Sequence, residues 1–358
     1  MGWFTFEIFK RLVKRHPEVE FHFLFDRKFN QEFIFADNVI PHVIFPPARH
    51  PWLMTWWYDY AVPSVLKKIK PDLFISPDAQ CSLRTEIPQL VVIHDINFEH
   101  YPQDIPAIYT KFLKRKSPLF CQKAQRVATV SHYSASDIQK HYHVADDKLD
   151  IIPNGANDDF IPLTDREKEQ ARQSLTGGKE YFIFVGSIHP RKNLQRLLPA
   201  FERFKQETKS ETRLVIVGNT FWKDGELGQI MERFKNDPEV IFPGRLDARN
   251  LKMAVGAAKA NVYVSYFEGF GIPIVEGFKL GVPVITSNVT SMPEVAGDAA
   301  LLVDPFSIDS IAEALKRMDQ DADLRETLIA RGLERGKIFT WDRSADAMWE
   351  SILRCQNS

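Results

Sequence analysis

Residues 262–288 constrain the fold more than any other stretch of the chain. They read Val-Tyr-Val-Ser-Tyr-Phe-Glu-Gly-Phe-Gly-Ile-Pro-Ile-Val-Glu-Gly-Phe-Lys-Leu-Gly-Val-Pro-Val-Ile-Thr-Ser-Asn. The β-branched and aromatic run at 262–266 predicts a buried parallel strand. Glu268-Gly-Phe-Gly then reads as a tight loop whose glycines let main-chain N–H groups approach a ligand. Pro273 is expected at the first helical position, where its missing N–H is not needed. The helix should run to Lys279, stop at Gly281 and lead into a strand at 282–286.

A strand, a glycine loop and a helix N-terminus together make an anion site, because amide N–H groups and the positive dipole end point at its occupant. The loop residues of that site are Gly269, Phe270 and Gly271. Two carboxylates flank it, Glu268 in the loop and Glu276, expected in the first helical turn. Phosphates at the helix and hydroxyls at the carboxylates describe a nucleotide-sugar. The plain alternative for Glu276 is a dipole-friendly helix residue worth ~0.3–1 kcal/mol. Glu268, Gly269, Gly271 and Pro273 in register favour the functional reading.

Glu268 and Glu276, with seven residues between them, resemble the acidic signature of retaining glycosyltransferases of family 4, the mannosyltransferase-like group 1 enzymes. The resemblance runs over nearly the whole chain. It implies an α/β fold of the GT-B kind, with two Rossmann-like domains facing across a cleft. Residues 1–160 would form an acceptor-side domain completed by a helix at 340–358, and residues 161–339 the nucleotide-sugar domain. The resemblance also implies roles: Glu268 holds the donor sugar's hydroxyls, Glu276 the nucleotide ribose. Arg245 and Leu246 fall where the family's chain runs along the base. The implied reaction moves a hexose from GDP-mannose, or second from a UDP-hexose, to a hydroxyl of a glycan or lipid-linked acceptor. Configuration is retained by front-face displacement.

Length and composition agree with that outline. A chain of 358 residues exceeds what one core supports, so two domains are expected. Hydrophobic content of 44% and charged content of 26% are those of a soluble globular protein. A net charge of −1 argues against a nucleic-acid partner. Cys81, Cys121 and Cys355 have no metal spacing and fit a reducing compartment. No apolar run reaches the ~20 residues of a membrane span, and the start lacks a signal-peptide pattern, so a cytoplasmic protein is expected. No metal site and no cofactor besides the donor are expected.

The chain opens inside an amphipathic helix carrying Phe4, Ile8, Leu12 and Val13. A Rossmann-like half normally begins with a strand and glycine turn, so a first strand of about 10–15 residues with its loop is expected to be missing. Strands follow at 20–25, 43–45, 72–76, 90–93, 126–130 and 149–152. Trp52, Trp56, Trp57 and Tyr58 read as an aromatic core helix, with a membrane-surface patch as the alternative. His94 sits after an apolar strand, where open α/β sheets place ligand groups. The family resemblance places a histidine there beside the sugar's reacting carbon. Lys111, Lys114, Arg115 and Lys116 read as a solvated helix face, or as docking to an anionic membrane that carries the acceptor. His141 and His143 are expected on different faces of one helix, which argues against a shared metal.

In the second half a strand at 181–185 leads into Gly186-Ser-Ile-His-Pro-Arg-Lys. Arg191 and Lys192 thus fall in a strand-to-helix loop that suits cations holding phosphate oxygens. Family members commonly carry arginine directly after that glycine; here Ser187 follows, and Arg191 is expected to supply the second charge. Asp319, Asp321 and Asp323 alternate like calcium ligands but lack the glycine and closing glutamate, and read as a polar connection. Two other functions share the architecture. A sugar-nucleotide epimerase would alter the donor with no acceptor present, and a truncated binding protein would hold it without turnover.

Overall fold

The computed structural model describes residues 2–219 and 225–356. The chain divides into two compact units, Met1–Asn154 with Trp341–Ser358, and Gly155–Thr340.

The first unit opens with the helix Gly2–Arg15, which buries Phe4, Ile8, Leu12 and Val13 on one stripe. Six strands follow: β1 (Phe21–Phe25), β2 (Val39–Val43), β3 (Phe74–Ser76), β4 (Gln89–Val92), β5 (Arg126–Thr129) and β6 (Leu149–Ile151). They form two parallel sheets, β1-β2 and β3-β4-β5-β6. The strand expected at 43–45 lies earlier, as β2. Pro46 and Pro47 offer no N–H to a ladder, so pairing stops ahead of them. Every residue of β4 and β5 is buried, the signature of parallel strands covered on both faces. The aromatic helix divides its side chains: Trp57 and Tyr58 enter the core, while Trp52 and Trp56 stay exposed.

The last helix, Trp341–Gln356, packs within this unit. Trp341 is fully buried, with its ring 6.3 Å from that of Phe4. Asp150 of β6 gathers Arg126 at 2.8 Å, Ser351 at 2.6 Å and Arg354 at 2.7 Å, so a buried carboxylate joins the sheet to that helix.

The second unit holds β7 (Tyr181–Val185), β8 (Arg213–Val217), β9 (Val240–Gly244), β10 (Ala260–Tyr263), β11 (Val284–Ser287) and β12 (Ala300–Val303). Their order is β12-β11-β10-β7-β8-β9, all parallel. The chain runs outward from β7 to β9, then crosses back and runs outward the other way from β10. The strand order therefore reverses between β7 and β10, the topological switch point where such sheets bind ligands at the strands' carboxyl ends. The aspartates near residue 320 take structural parts. Asp319 accepts from Thr212 and Lys259, and Asp321 caps the helix Ala322–Gly336 by accepting from the Leu324 N–H.

Candidate active site

The two loops that leave β7 and β10 are fastened to each other by hydrogen bonds to main-chain carbonyls. Asn193, which ends the first loop in a left-handed conformation (φ 66°), donates its side-chain amide to the carbonyls of Val264 at 2.9 Å and Pro305 at 2.7 Å. The Tyr266 N–H donates to the Arg191 carbonyl at 3.0 Å. These bonds carry Arg191 and Lys192 to the glycine loop, more than seventy residues further along the chain.

There the three charged residues close on one another. Arg191 meets one oxygen of Glu268 at 2.5 Å, and Lys192 Nζ meets the other at 2.7 Å. Lys192 also donates to the Tyr263 hydroxyl at 2.5 Å and lies 4.8 Å from that ring's centre. Glu268, Lys192 and Tyr263 are all buried. Burial alone would push the Glu268 carboxyl up; Arg191 and Lys192 outweigh it and hold it at about 2. Two cations against one carboxylate leave the cluster positive. Arg191, Lys192 and Glu268, expected as separate phosphate and sugar contacts, form one charged unit.

The carboxylate's backbone is fixed from the β11 side. The Glu268 N–H donates to the Thr290 hydroxyl at 3.3 Å, and Ser291 Oγ donates to the carbonyls of Glu268 and Phe270. Thr290 is β-branched yet sits at φ 56°, a strained conformation for such a residue and one that recurs at functional sites. Gly218, after β8, is needed for a close approach: a Cβ there would lie 1.8 Å from the Gly186 carbonyl oxygen. The Gly186 N–H is itself spent on the Val217 carbonyl at 3.0 Å.

The glycine-loop helix differs from expectation in register. β10 ends at Tyr263, and the helix is Ile272–Lys279, with Gly271 at φ 104° before it. Pro273 is its second residue. Glu276 lies beyond the first turn, which contains no acidic residue, so the dipole-partner reading of Glu276 falls away. Glu276 is half-buried, and burial raises its carboxyl to about 7. Gly269, Phe270 and Gly271 are buried, and Phe270 packs edge-on to Phe339 at 5.5 Å. Gly271 has no side chain to cap the helix, and the Ile274 N–H is taken by the Gly271 carbonyl at 3.0 Å.

The remaining expected residues are dispersed. Arg245 is exposed after β9, while Leu246 packs against the second unit's core. In the first unit His94 follows β4, its ring edge against Phe4 at 4.9 Å. Burial depresses its pKa to about 4. His94 is a neutral imidazole whose buried Nε2 has no hydrogen-bond partner among the described residues. His141 and His143 do not share a helix: it ends at Tyr142, and His143 is its left-handed cap at φ 53°.

Comparison with known proteins decides the family. Residues 165–335 match the model "Glycosyl transferases group 1", and residues 1–160 match "Glycosyltransferase Family 4". The O-antigen chain mannosyltransferase B of Escherichia coli is 30% identical over 297 residues, covering 83% of this chain and 74% of that protein. The chain belongs to the group 1 glycosyltransferases. The O-antigen chain mannosyltransferase RfbU of Salmonella typhimurium is 29% identical, over 75% of this chain and 71% of its own. Among solved structures, WaaG, a glycosyltransferase involved in lipopolysaccharide biosynthesis, superposes with a TM-score of 0.75 at 17% identity, covering 96% of this chain and 94% of that one. Anabaena HepE in complex with UDP-glucose superposes at 0.72 with 16% identity, over 98% and 94%.

The fold of this glycosyltransferase is the expected α/β, GT-B type: two Rossmann-like, parallel-sheet domains. Chemically, the cluster at the β7–β10 switch point offers fixed positive charge within a buried shell, suited to an anion whose charge grows during reaction. Tyr263, Thr290 and Ser291 hold the cluster and carry no motif. A reader of the sequence could have found Tyr263 from its strand-end position only.

Proposed function

We propose that this glycosyltransferase moves a hexose, mannose first, from a nucleotide-diphosphate sugar to a hydroxyl of a glycan or lipid-linked acceptor, with retention of configuration. The observation that carries the reading is the Glu268–Arg191–Lys192 cluster at the β7–β10 switch point. The mannosyltransferase identity of the two O-antigen relatives supports the choice of sugar.

The C1–O bond to the diphosphate breaks as a C1–O bond to the acceptor forms on the same face. The acceptor's proton passes to a departing phosphate oxygen, which balances the step. Negative charge collects on the diphosphate, and Arg191, Lys192 and the dipole of helix Ile272–Lys279 meet it without the reorganisation that water would require. Glu268, kept ionised by the same cations, accepts from the sugar's hydroxyls. Glu276 accepts from the ribose, and Leu246 and Arg245 border the base. His94 Nε2 supplies a neutral acceptor for a sugar hydroxyl. No step is routed through a metal. In the described residues no helix is long and apolar enough to cross a membrane. The exposed Trp52 and Trp56, with the exposed Lys111 and Arg115, are the surface that would meet an anionic membrane carrying the acceptor.

The test is incubation of the protein with GDP-mannose, or a UDP-hexose, and a membrane extract, followed by assignment of the anomeric configuration of the product. Transfer with retention is expected, and Glu276→Ala should weaken donor binding in calorimetry. A donor sugar altered with no acceptor present would replace transfer by epimerisation, and unchanged affinity in Glu276→Ala would remove the ribose contact.

A further inference from the structure

Away from the charged cluster, three side chains of the first unit converge in a way the proposed reaction does not use. Asp137 and His141 lie one turn apart on the helix His132–Tyr142, so both project from the same face. His100 reaches them from the end of the short helix Asn97–His100. Its Nε2 is 2.9 Å from each carboxylate oxygen of Asp137. His141 Nδ1 is 3.2 Å from one of those oxygens and 2.9 Å from the Asp137 carbonyl. The two imidazoles stand 4.9 Å apart, centre to centre, and nearly perpendicular.

We propose that His100, Asp137 and His141 bind one transition-metal dication of the zinc class. One ligand atom from each residue lies within 4.8 Å of the other two. A tetrahedral zinc ion, with bonds of about 2.0–2.3 Å, spaces its ligand atoms about 3.4 Å apart. The separations of 2.9 and 3.2 Å therefore need to open by only a few tenths of an ångström. Two imidazoles and one carboxylate suit zinc and its neighbours, whereas calcium and magnesium call for an all-oxygen shell. Three protein ligands leave a fourth position to water.

Charge supplies the second argument. Asp137 is buried, and among the described residues its ion-pair partners are the two histidines, with no lysine or arginine joining them. A buried carboxylate that faces two imidazoles is a ready ligand for a dication, whose charge offsets its own. Binding would replace the imidazole protons now directed at Asp137. It would also clip His100 to the long helix, bracing the segment that begins just after His94.

The experiment titrates Zn²⁺ and Co²⁺ into the full chain after chelator treatment, and it needs no glycosyl transfer as a readout. One ion per chain is expected, with the intense visible absorption of four-coordinate Co²⁺. X-ray absorption of the Zn²⁺ form should show two imidazoles in the first shell. Loss of an outer-shell partner typically costs 10–100-fold in metal affinity, so His100→Ala and His141→Ala should each lose at least ~100-fold. His143→Asn, at the helix cap, should bind as the parent does. Absence of saturable binding, binding that survives both alanine variants, or a first shell without imidazole overturns the site and leaves a hydrogen-bonded His–Asp–His cluster. The X-ray measurement uses the parent chain, so it decides even where a variant fails to fold.

Discussion

The two units place a strand-end loop at a candidate site and treat charge there in opposite ways. Behind β7 and β10 the second unit concentrates it: a carboxylate held at about 2 by an arginine and a lysine, all tied to one loop frame. Behind β4 the first unit removes it: His94 is pressed to about 4 by burial, neutral throughout the physiological range, with one unsatisfied nitrogen. The lesson is that burial has no fixed electrostatic consequence. With a cation at hydrogen-bond distance it preserves an ion; without one it extinguishes it. In this protein the strong field belongs to the second unit, and the first offers an uncharged acceptor.

The comparison breaks most visibly at Glu268. Glu268→Ala leaves Lys192 buried without its carboxylate, which should cost about 3–5 kcal/mol of unfolding free energy in urea titration. The pH dependence has a definite sign. The folded pKa lies below the ordinary 4.5, so the ion pairs contribute fully above about pH 4.5 and are lost as pH falls toward 2. Parent protein should lose stability through that window, and Glu268→Gln should lose less, the remainder belonging to carboxylates such as Asp150 and Asp319 that are also held low.

Lys192→Ala comes next. Arg191 still neutralises Glu268, so the fold should survive while turnover falls by roughly 10²–10³, the scale for one preorganised charged contact. Rates equal to the parent's would move the anion site elsewhere.

Glu276 sharpens the contrast within the second unit, since among the described residues no cation pairs with its carboxylate. Its folded pKa is raised to about 7, so its ionisation opposes folding, and that part of stability declines as pH rises from 4.5 through 7. Donor affinity should move the other way, improving as pH passes about 7 because an ionised carboxylate is the better acceptor. Calorimetry across that range should show the rise, and Glu276→Gln should flatten it. The smallest effect is expected at His94. His94→Gln should reduce turnover by about 3–10-fold, the worth of one ordinary hydrogen bond. Its depressed pKa predicts no break in the rate profile between pH 5 and 8 that the variant abolishes.

Legibility differed between local and remote features. The strand at 181–185 coincides with β7 because it is a short apolar run bounded by turn residues. The capped starts at Ser131 and Thr164 are equally local: the Ser131 hydroxyl accepts from the N–H three residues on, and Thr164 closes a full capping box with Glu167. The register of the helix after Gly271 was misread by one residue at Pro273, since proline fits either of the first two positions equally well. That single step moved Glu276 out of reach of the dipole argument. The His100–Asp137–His141 cluster was illegible because sequence proximity drew His141 toward His143, whereas helical geometry and a second segment supply its neighbours.

The amino-acid order by itself determined the alternation of strands and helices, the glycine loop and which residues could bear charge. Each of those follows from neighbours within a turn or two of chain. Only the tertiary structure decided that Glu268 belongs with Arg191 and Lys192, because the reversal of strand order between β7 and β10 brings their loops together. It also decided the ionisation of Glu268, Glu276 and His94, since a pKa depends on the depth of burial and the charges packed alongside, and both are set by chain segments far apart in sequence.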